Sequence, residues 1–508
     1  MGTRSELDCF CERGYWKNGV HCQNCPDHAF CRTNCTAPET SPGYWKVPWR
    51  VETDAETRLE CLSASACLGP TPTDPNTTEG CAPLHRGPLC AACAPASYRA
   101  TGAYNCVPCN DNEGVSAVFV LLLLLGVLAV ISAVTKLTLA DGGKAAAVDV
   151  VVAKITMNHF VIASAAATFP LHWPAFLKVF MSIMSILSAS AMGDSAFSID
   201  CIVRGGGTRP VQSWALVTIL APPMLVGAAA ALWKLLKHVE HIRVTALIIL
   251  ILGHPTICKG AFALLSCRYV GERPFLEADP DISCTSPEYS VWGYGLGLPS
   301  LLLYGAGIPL YYFIKMRTFH KAGTLEAQRA VYGFLFSGYD TQRWWYELWN
   351  SVRKAVFTGL TILLTPMGPA MQAWGALLLL VGFIVVFLRA EPYREGWLNA
   401  LERDALSVDA LTLFLGLALF LNDTNSTDAK SEGLAMTLSL VIMLINIWFV
   451  IRVARSLKSY SAYGGALRRG RRKIERRMTM MRQRVSRRSS TAPQVHVPNP
   501  VVEMGPTL

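Results

Sequence analysis

Apolar and polar positions divide the chain into a polar, cysteine-rich first part and a longer part in which apolar stretches alternate with short polar loops. The first long apolar stretch without charged residues covers 115–134. About 20 apolar residues are enough to cross a bilayer as a helix. The pattern predicts nine spans, at residues 114–138, 149–169, 213–235, 242–266, 291–314, 344–365, 370–389, 404–421 and 433–453. We therefore expect an all-α polytopic membrane bundle that follows a small disulfide-rich extracellular domain.

The same pattern predicts four parts. They are a disulfide-stapled domain at 1–112, a transmembrane domain at 113–455, a basic amphipathic helix at 456–490 and a disordered tail at 491–508. The apolar segment 174–192 has serines on much of its other side. As a span it would place Lys234 and Lys237 outside, against the preference of basic residues for the cytoplasm. We interpret it as an external or half-inserted helix.

Lys and Arg residues in the short loops orient the bundle with its head outside and its carboxyl terminus in the cytoplasm. The glycosylation sequons at Asn76, Asn422 and Asn425 all fall outside in this topology. No apolar stretch precedes residue 114, so we expect a removed signal peptide in preference to a reverse signal anchor. The protein is expected in the plasma membrane or another membrane of the secretory pathway.

Composition agrees with this placement, because 52% of residues are hydrophobic and only 16% are charged. In soluble domains, about 45–50% of residues are apolar and about 25% are charged. Much of the formal net charge of +10 comes from the run 452–488. The excess of positive charge therefore lies mainly in the carboxyl-terminal tail and not in a folded basic domain, which argues against a nucleic-acid partner.

Cysteine positions point to an oxidising compartment, since thirteen of the seventeen lie within the first 109 residues. The topology places sixteen outside, which permits eight disulfides and leaves Cys258 free within a span. Cys267 and Cys284 bracket one external loop and are expected to pair. We expect Cys201 to pair with the odd cysteine of the head; the alternative is that both are unpaired. The head cysteines expected in disulfides include Cys61, Cys67, Cys81, Cys90, Cys93, Cys106 and Cys109.

Ionisable and polar groups inside a bilayer are costly, so those within spans are candidates for function. Glu347, Asn350 and Lys354 form one stripe of the sixth span, with Arg353 beside it. The stripe could line a permeation path or hold two helices together. It could also be a cluster at the cytoplasmic edge of the membrane, within the belt of tryptophans that starts at Trp344.

Seven further positions extend this set. Asp404 and Asp409 begin the eighth span, where the deeper Asp409 is either a cation site or a hydrogen-bond partner of a neighbouring helix. The other membrane-buried polar candidates are Lys154, Asn158 and His159 in the second span, and His254 and Lys259 beside Pro255 in the fourth.

The fifth span has unusually many residues without a side chain, namely Gly293, Gly295, Gly297, Gly305 and Gly307. Small residues allow helices to approach closely. Close packing is the favoured interpretation, and a gating hinge is the alternative.

The basic tail has apolar residues at helical spacing, at Leu467, Ile474, Met478, Met481 and Val485. The basic residues between them attract anionic lipids, so we expect phosphoinositide or phosphatidylserine to bind there. A calmodulin-like protein is an equal alternative, followed by a coiled-coil oligomer and an unstructured anchor. Ser489 and Ser490 follow two arginines and form a candidate kinase site. The candidate lipid-binding residues are Arg468, Arg469, Arg471, Arg472, Lys473, Arg476 and Arg477.

Motifs in the head resemble a known cysteine repeat. They are Ser41-Pro-Gly-Tyr-Trp, Cys61-(x5)-Cys67, Gly80-Cys-Ala-Pro, Gly87-Pro-Leu-Cys-Ala-Ala-Cys and Cys106-Val-Pro-Cys. This spacing resembles the GCC-type, growth-factor-receptor-like repeat found in algal and protist surface proteins.

Three membrane-side motifs extend the resemblance over most of residues 40–455. They are His172-Trp-Pro, Tyr332-Gly-Phe-Leu…Gly-Tyr-Asp with Trp344-Trp-Tyr-Glu-Leu-Trp-Asn-Ser-Val-Arg-Lys, and Glu391-Pro-Tyr-Arg…Asn399-Ala-Leu-Glu. They resemble the transient receptor potential-like (TRP-like) family, which implies about nine spans and an ion channel. The chain departs from that family in lacking a selectivity-filter-like sequence, ankyrin repeats and an EF-hand loop.

The leading hypothesis is a TRP-like channel for cations, including calcium, which forms a homo-oligomer. The alternatives are a non-conducting receptor or adhesion protein and a lipid or solute transporter. We expect no enzyme, because HExxH, GxSxG and phosphate-cradling motifs are absent. We also expect no metal or other cofactor.

Overall fold

A computed structural model describes residues 11–18, 21–33, 37–51, 57–69, 80–94, 97–99, 104–109, scattered helical positions in 125–136, 147–167, 174–187, 209–425 and 433–460. The chain forms two compact units, Met1–Phe449 and Val450–Leu508. Residues 450–460, the described part of the second unit, are helical.

The head consists of short antiparallel ribbons and few apolar residues, so disulfides supply much of its cross-linking. Its strands pair as β1 (Tyr15–Asn18) with β2 (His21–Asn24), β3 (Ala29–Phe30) with β4 (Glu39–Thr40), β5 (Tyr44–Lys46) with β6 (Arg58–Glu60), β7 (His85–Arg86) with β8 (Ala92–Cys93), and β9 (Ser97–Arg99) with β10 (Cys106–Pro108). The disulfides join Cys11–Cys22, Cys25–Cys31, Cys61–Cys67, Cys81–Cys90 and Cys93–Cys106.

The membrane domain is a helical bundle. Its helices are α1 (Ala147–Ala167), α2 (Ala175–Leu187), α3 (Pro210–Leu235), α4 (His241–Ala263), α5 (Pro287–Lys321), α6 (Arg329–Phe336), α7 (Tyr346–Leu363), α8 (Pro369–Ala390), α9 (Gly396–Asn425) and α10 (Gly433–Tyr460). Among the described residues, six helices are long and apolar enough to cross a bilayer, namely α3, α4, α5, α8, α9 and α10. The expected fold class, a polytopic helical bundle behind a disulfide-rich head, is confirmed.

The remaining predicted spans differ from these six for physical reasons. The sixth is the helix α7, but three charged side chains interrupt its apolar character. The second is α1, whose apolar part, Val150–Ala163, is shorter than a full span. The first, 114–138, lies largely outside the described residues.

The helix α4 lies at the centre of the main apolar core. Val244, Leu247 and Ile251 are almost fully buried there, against Met316 of α5 and Leu348 of α7. A helix surrounded by other helices has few positions left for polar residues, which agrees with the run of aliphatic residues in α4.

The segment predicted as an external helix contains α2, which packs on α1 through one apolar face. Leu177, Met181 and Met184 are buried, whereas Val179 and Ile183 on the other side are more than half exposed. Residues 188–192 lie outside the described residues.

The loop between α4 and α5 belongs structurally with the head. It forms a hairpin of β11 (Cys267–Val270) and β12 (Arg273–Leu276), which the Cys267–Cys284 disulfide closes. Val270 of this hairpin is buried in the core of the head, beside Trp45 and Cys90.

Polar contacts complete the docking of the head on this loop. Tyr104 of the head donates to Glu277 Oε1 at 2.6 Å, and Arg268 of the loop binds the same carboxylate at 2.6 Å. Arg86 lies 3.0 Å from Asp281. The head is therefore fixed to this loop of the bundle by both apolar and charged contacts.

Replacing Gly87 with alanine is expected to loosen this docking. Gly87 has a φ of +70° and a Cβ there would overlap Asp281 Oδ1, so the variant displaces the carboxylate that Arg86 binds. We expect faster proteolysis between residues 267 and 285, measured by limited trypsin digestion and mass spectrometry. Gly14 is a matched control because its φ is +94° and nothing lies within 4 Å of its added Cβ. Equal digestion of both variants would contradict the prediction.

Candidate functional site

Three helices, α1, α7 and α9, bring charged and polar side chains together inside the bundle. Each of these residues is at most 8% exposed. Because a buried charge is costly unless it is paired, their mutual arrangement decides what the site can do. They are Lys154, Asn158 and His159 of α1, Glu347, Asn350, Arg353 and Lys354 of α7, and Glu402 and Asp409 of α9.

The first group centres on Glu347. Lys154 Nζ lies 3.3 Å from Glu347 Oε2, donates to the carbonyl of Phe334 and sits 4.1 Å from the centre of the Phe334 ring. Tyr339 donates its hydroxyl to Glu347 Oε2 at 2.6 Å, and Asn350 Nδ2 donates to that hydroxyl oxygen at 3.3 Å. This group joins α1 to α7 and to the loop before α7.

The second group joins α7 to α9. Arg353 Nη2 donates to Glu402 Oε1 at 2.9 Å, with both side chains 1% exposed. Tyr393 donates its hydroxyl to Glu402 Oε2 at 3.4 Å. The pair is completely enclosed, so it is weakly screened by solvent.

The two tyrosines that bind these carboxylates face each other. Tyr339 and Tyr393 form a backbone bridge between the loop before α7 and the loop before α9, and their rings stack at 5.0 Å. Burial and the nearby carboxylates raise the pKa of each phenol well above 10. Both hydroxyls therefore stay protonated and act as donors at any physiological pH.

The third group is the deepest. His159 Nδ1 donates to Asp409 Oδ1 at 2.7 Å, and the two side chains are 0% and 1% exposed. Asp409 lies about 20 Å along α9 from Gly396, at about 1.5 Å per residue. Asp409 therefore lies near the middle of α9, where water has least access.

Two polar atoms of this pair, and one of the preceding residue Asn158, have no hydrogen-bond partner among the described residues. They are His159 Nε2, Asp409 Oδ2 and Asn158 Nδ2. Buried polar atoms are nearly always satisfied by protein, water or an ion. His159 and Asp409 are hydrogen-bonded to each other, so water or an ion bound at this pair could satisfy their remaining atoms.

Other predicted site residues lie apart from this network. His254 of α4 donates through Nε2 to the carbonyl of Gly305 in α5 at 3.0 Å, and Cys258 is a free, buried thiol. Lys259 and Asp404 are only half-buried. They are not part of the three groups.

The glycines of the fifth span serve close packing. A Cβ on Gly297 would come within 3.1 Å of Leu264, and one on Gly293 within 3.2 Å of the Leu264 carbonyl. The helix is also π-helical over Ser290–Gly297 and Leu301–Gly307, a local geometry often found at functional sites. The favoured interpretation of the glycines agrees with these contacts.

The sequence pattern placed Arg353 only beside the candidates and did not select Glu402, Tyr339 or Tyr393. A signal for the tyrosines was present, since each occurs in a motif directly before a charged span, Gly-Tyr-Asp and Glu-Pro-Tyr-Arg. The partner of each tyrosine lies on the helix that follows it.

One group of described residues has the geometry of metal ligands. His238, Glu240 and His241 occupy the turn between α3 and α4, and their candidate ligand atoms lie within 4.8 Å of one another. His238 and Glu240 are exposed, and Lys234 and Lys237 are their neighbours in sequence. These lysines add positive charge next to the group, which disfavours a cation there.

Several predicted sites fall outside the described residues: Asn76, Cys201, the basic residues 468–477, Ser489 and Ser490. Cys109 is disulfide-bonded. Asn422 and Asn425 lie in the last turn of α9.

No protein-family model and no solved structure matches the chain. A stretch of 224 residues, 41% of this chain, is 25% identical to "Cysteine repeat modular protein A" of Toxoplasma gondii. That stretch covers 7% of the length of the Toxoplasma protein. The chain is a multi-span helical membrane protein with an amino-terminal disulfide-rich region and a distant similarity to a cysteine repeat modular protein.

Proposed function

We propose that the protein is a TRP-like channel for cations and that the His159–Asp409 pair lies on its conduction path. One observation carries the proposal. A buried carboxylate deep in the bundle has one oxygen bound to His159 and the other without a partner among the described residues. Ionisable groups inside membranes commonly mark ion pathways.

The surroundings of Asp409 support a cation in preference to an anion. The free oxygen is an acceptor, the ligand type that hard cations prefer. Arg353, the guanidinium whose positive charge acts on Asp409, is already paired with Glu402.

The ion-pair network gives this channel a closed state. Lys154–Glu347 and Arg353–Glu402 tie α7 to α1 and to α9. An ion that passes Asp409 requires these helices to separate. In this proposal the network holds the closed arrangement and a stimulus weakens it.

The test is a current or flux measurement on purified full-length protein in planar bilayers, with sodium, potassium and calcium gradients. The Asp409→Asn variant keeps the shape of the side chain and removes the charge, so we expect at least a tenfold loss of cation conductance or a shift in reversal potential. Glu395→Gln is the matched control because it neutralises an exposed acid just before the same helix. It is expected to behave as wild type.

Two outcomes would contradict the proposal. Current that is identical in wild type and Asp409→Asn would remove Asp409 from the path. Silence of the wild type under membrane tension, calcium and anionic lipid would overturn conduction itself.

A non-conducting receptor is the second candidate, and the docking of the head favours it. Trp49 of the head stacks on Phe275 at 5.8 Å, and Arg273 lies 4.6 Å from the Trp49 ring. A head held this firmly could transmit a binding event to α4 and α5. A receptor predicts that deleting residues 1–110 abolishes the cellular response, whereas a channel keeps residual current.

A further inference from the structure

A cavity of about 460 Å³ opens at one end of the bundle, next to Tyr393 of the second buried group. It lies where α8 ends and where the loops before α7 and α9 meet. We call it the arginine pocket. Its charged and polar lining residues are Asp340, Arg343, Arg389, Glu391, Tyr393 and Arg394.

The arginine pocket lies at the opposite end of α8 from the disulfide-linked loop. Arg268, beside Cys267, donates to the carbonyl of Thr365, just before the start of α8. The helix α8 then extends for about 32 Å at about 1.5 Å per residue. Since disulfides form on the oxidising side of a membrane, the pocket faces the cytoplasm.

The pocket also lies beside the lipid. Leu388, which lines it, is 49% exposed. Val385 and Val381, one and two turns earlier in α8, are 43% and 48% exposed. An apolar strip of helix surface therefore leads from the membrane interior to the rim of the pocket.

The charges of the pocket have both signs and an excess of one positive charge, from three arginines and two carboxylates. Guanidinium groups bind phosphate and carboxylate with paired hydrogen bonds. The two acids are suited to an ammonium group. A ligand that matches this set carries two anionic groups and one cationic group.

We propose that the arginine pocket binds the headgroup of phosphatidylserine, whose acyl chains lie along α8. The phosphate and carboxylate of this lipid match the arginines, and its ammonium matches Asp340 or Glu391. Phosphatidylserine is also an anionic lipid of the cytoplasmic leaflet. A polyphosphoinositide would meet two carboxylates without a cation to offer them.

The pocket is held open by hydrogen bonds to backbone carbonyls that need no ligand. Asp340 N donates to the Pro392 carbonyl at 2.8 Å, Arg394 N to Gly338 at 3.1 Å and Arg343 Nε to Ala390 at 3.1 Å. A preformed site loses less entropy on binding. Tyr393 lines the pocket and binds Glu402, so a bound headgroup touches the residue that leads to the Arg353–Glu402 pair.

The test uses the full-length protein and a photoreactive phosphatidylserine, with crosslinked peptides mapped by mass spectrometry. We expect crosslinks in residues 388–394, and about tenfold weaker labelling there in Arg389→Gln. Labelling of the basic tail is a separate signal and is expected to persist. Arg317→Gln is the matched control, because it removes an exposed arginine from the same end of the bundle.

A second variant tests the ammonium contact. Asp340→Asn is expected to weaken competition by short-chain phosphatidylserine several-fold and to leave competition by phosphatidic acid, which has no ammonium, unchanged or stronger. Wild-type labelling of Arg389→Gln would overturn the site. Equal competition by phosphatidylcholine, tighter competition by a bisphosphoinositide, or equal competition by free O-phosphoserine would overturn the assignment to phosphatidylserine.

Discussion

Replacing Glu402 with glutamine is expected to lower the free energy of unfolding by about 3–5 kcal/mol. The change leaves the Arg353 guanidinium enclosed at 1% exposure without a carboxylate. Two of its nitrogens, Nε and Nη1, already have no hydrogen-bond partner among the described residues, so no nearby group takes over. Denaturation in mixed micelles with increasing SDS, followed by tryptophan fluorescence, measures the loss.

The double variant Arg353→Met with Glu402→Leu separates an unpaired charge from lost packing. Replacing both members of a buried pair with apolar residues is often neutral or stabilising, so the double variant is expected near wild type. Glu326→Gln is the surface comparison, because its partner Arg329 lies at 2.7 Å but Glu326 is 59% exposed. Its cost is expected to be about 0–1 kcal/mol. A double variant as unstable as Glu402→Gln would show that the charge is not the cause.

The architecture could be read from the sequence because it depends on patterns within single segments. Apolar length predicted the helices, and the positions of Cys267 and Cys284 on either side of one loop indicated the disulfide that the structure contains. The start of α9 was harder. The apolar run begins near Asp404, but the helix begins at Gly396. Its first turns carry charged residues, and one of them, Glu402, is buried by its pairing with Arg353.

The pairing of charges could not be read in this way. Glu347 and Lys354 share a stripe of α7, and their spacing shows only that the two lie on one face of that helix. In the structure Glu347 instead binds Lys154, 193 residues earlier in the chain. Spacing within a helix reports only neighbours on that helix, whereas a buried charge is satisfied by whichever helix packs against it. The same holds for His159 and Asp409, each found as a candidate but not as partners.

Replacing Glu347 with glutamine is expected to be as costly as the loss of Glu402, about 3–5 kcal/mol. Glu347 is the carboxylate in direct contact with Lys154 and also attracts the buried Lys354. Its loss leaves the Lys154 ammonium enclosed without a counter-charge, whereas Lys354 is still attracted by Glu402. Tyr339 also loses its anionic acceptor. SDS denaturation of the variant in the same mixed micelles measures the effect.

The double variant Lys154→Met with Glu347→Met decides between the two roles of this stripe. It removes both members of the 3.3 Å pair, so we expect most of the lost stability to return. If Glu347 only holds α1 against α7, the stable double variant conducts cations with wild-type selectivity and opens at a weaker stimulus. If Glu347 lines the path, selectivity changes although stability is restored. The structure favours the first result, because both Glu347 Oε2 contacts are to protein groups that would have to leave before an ion could bind.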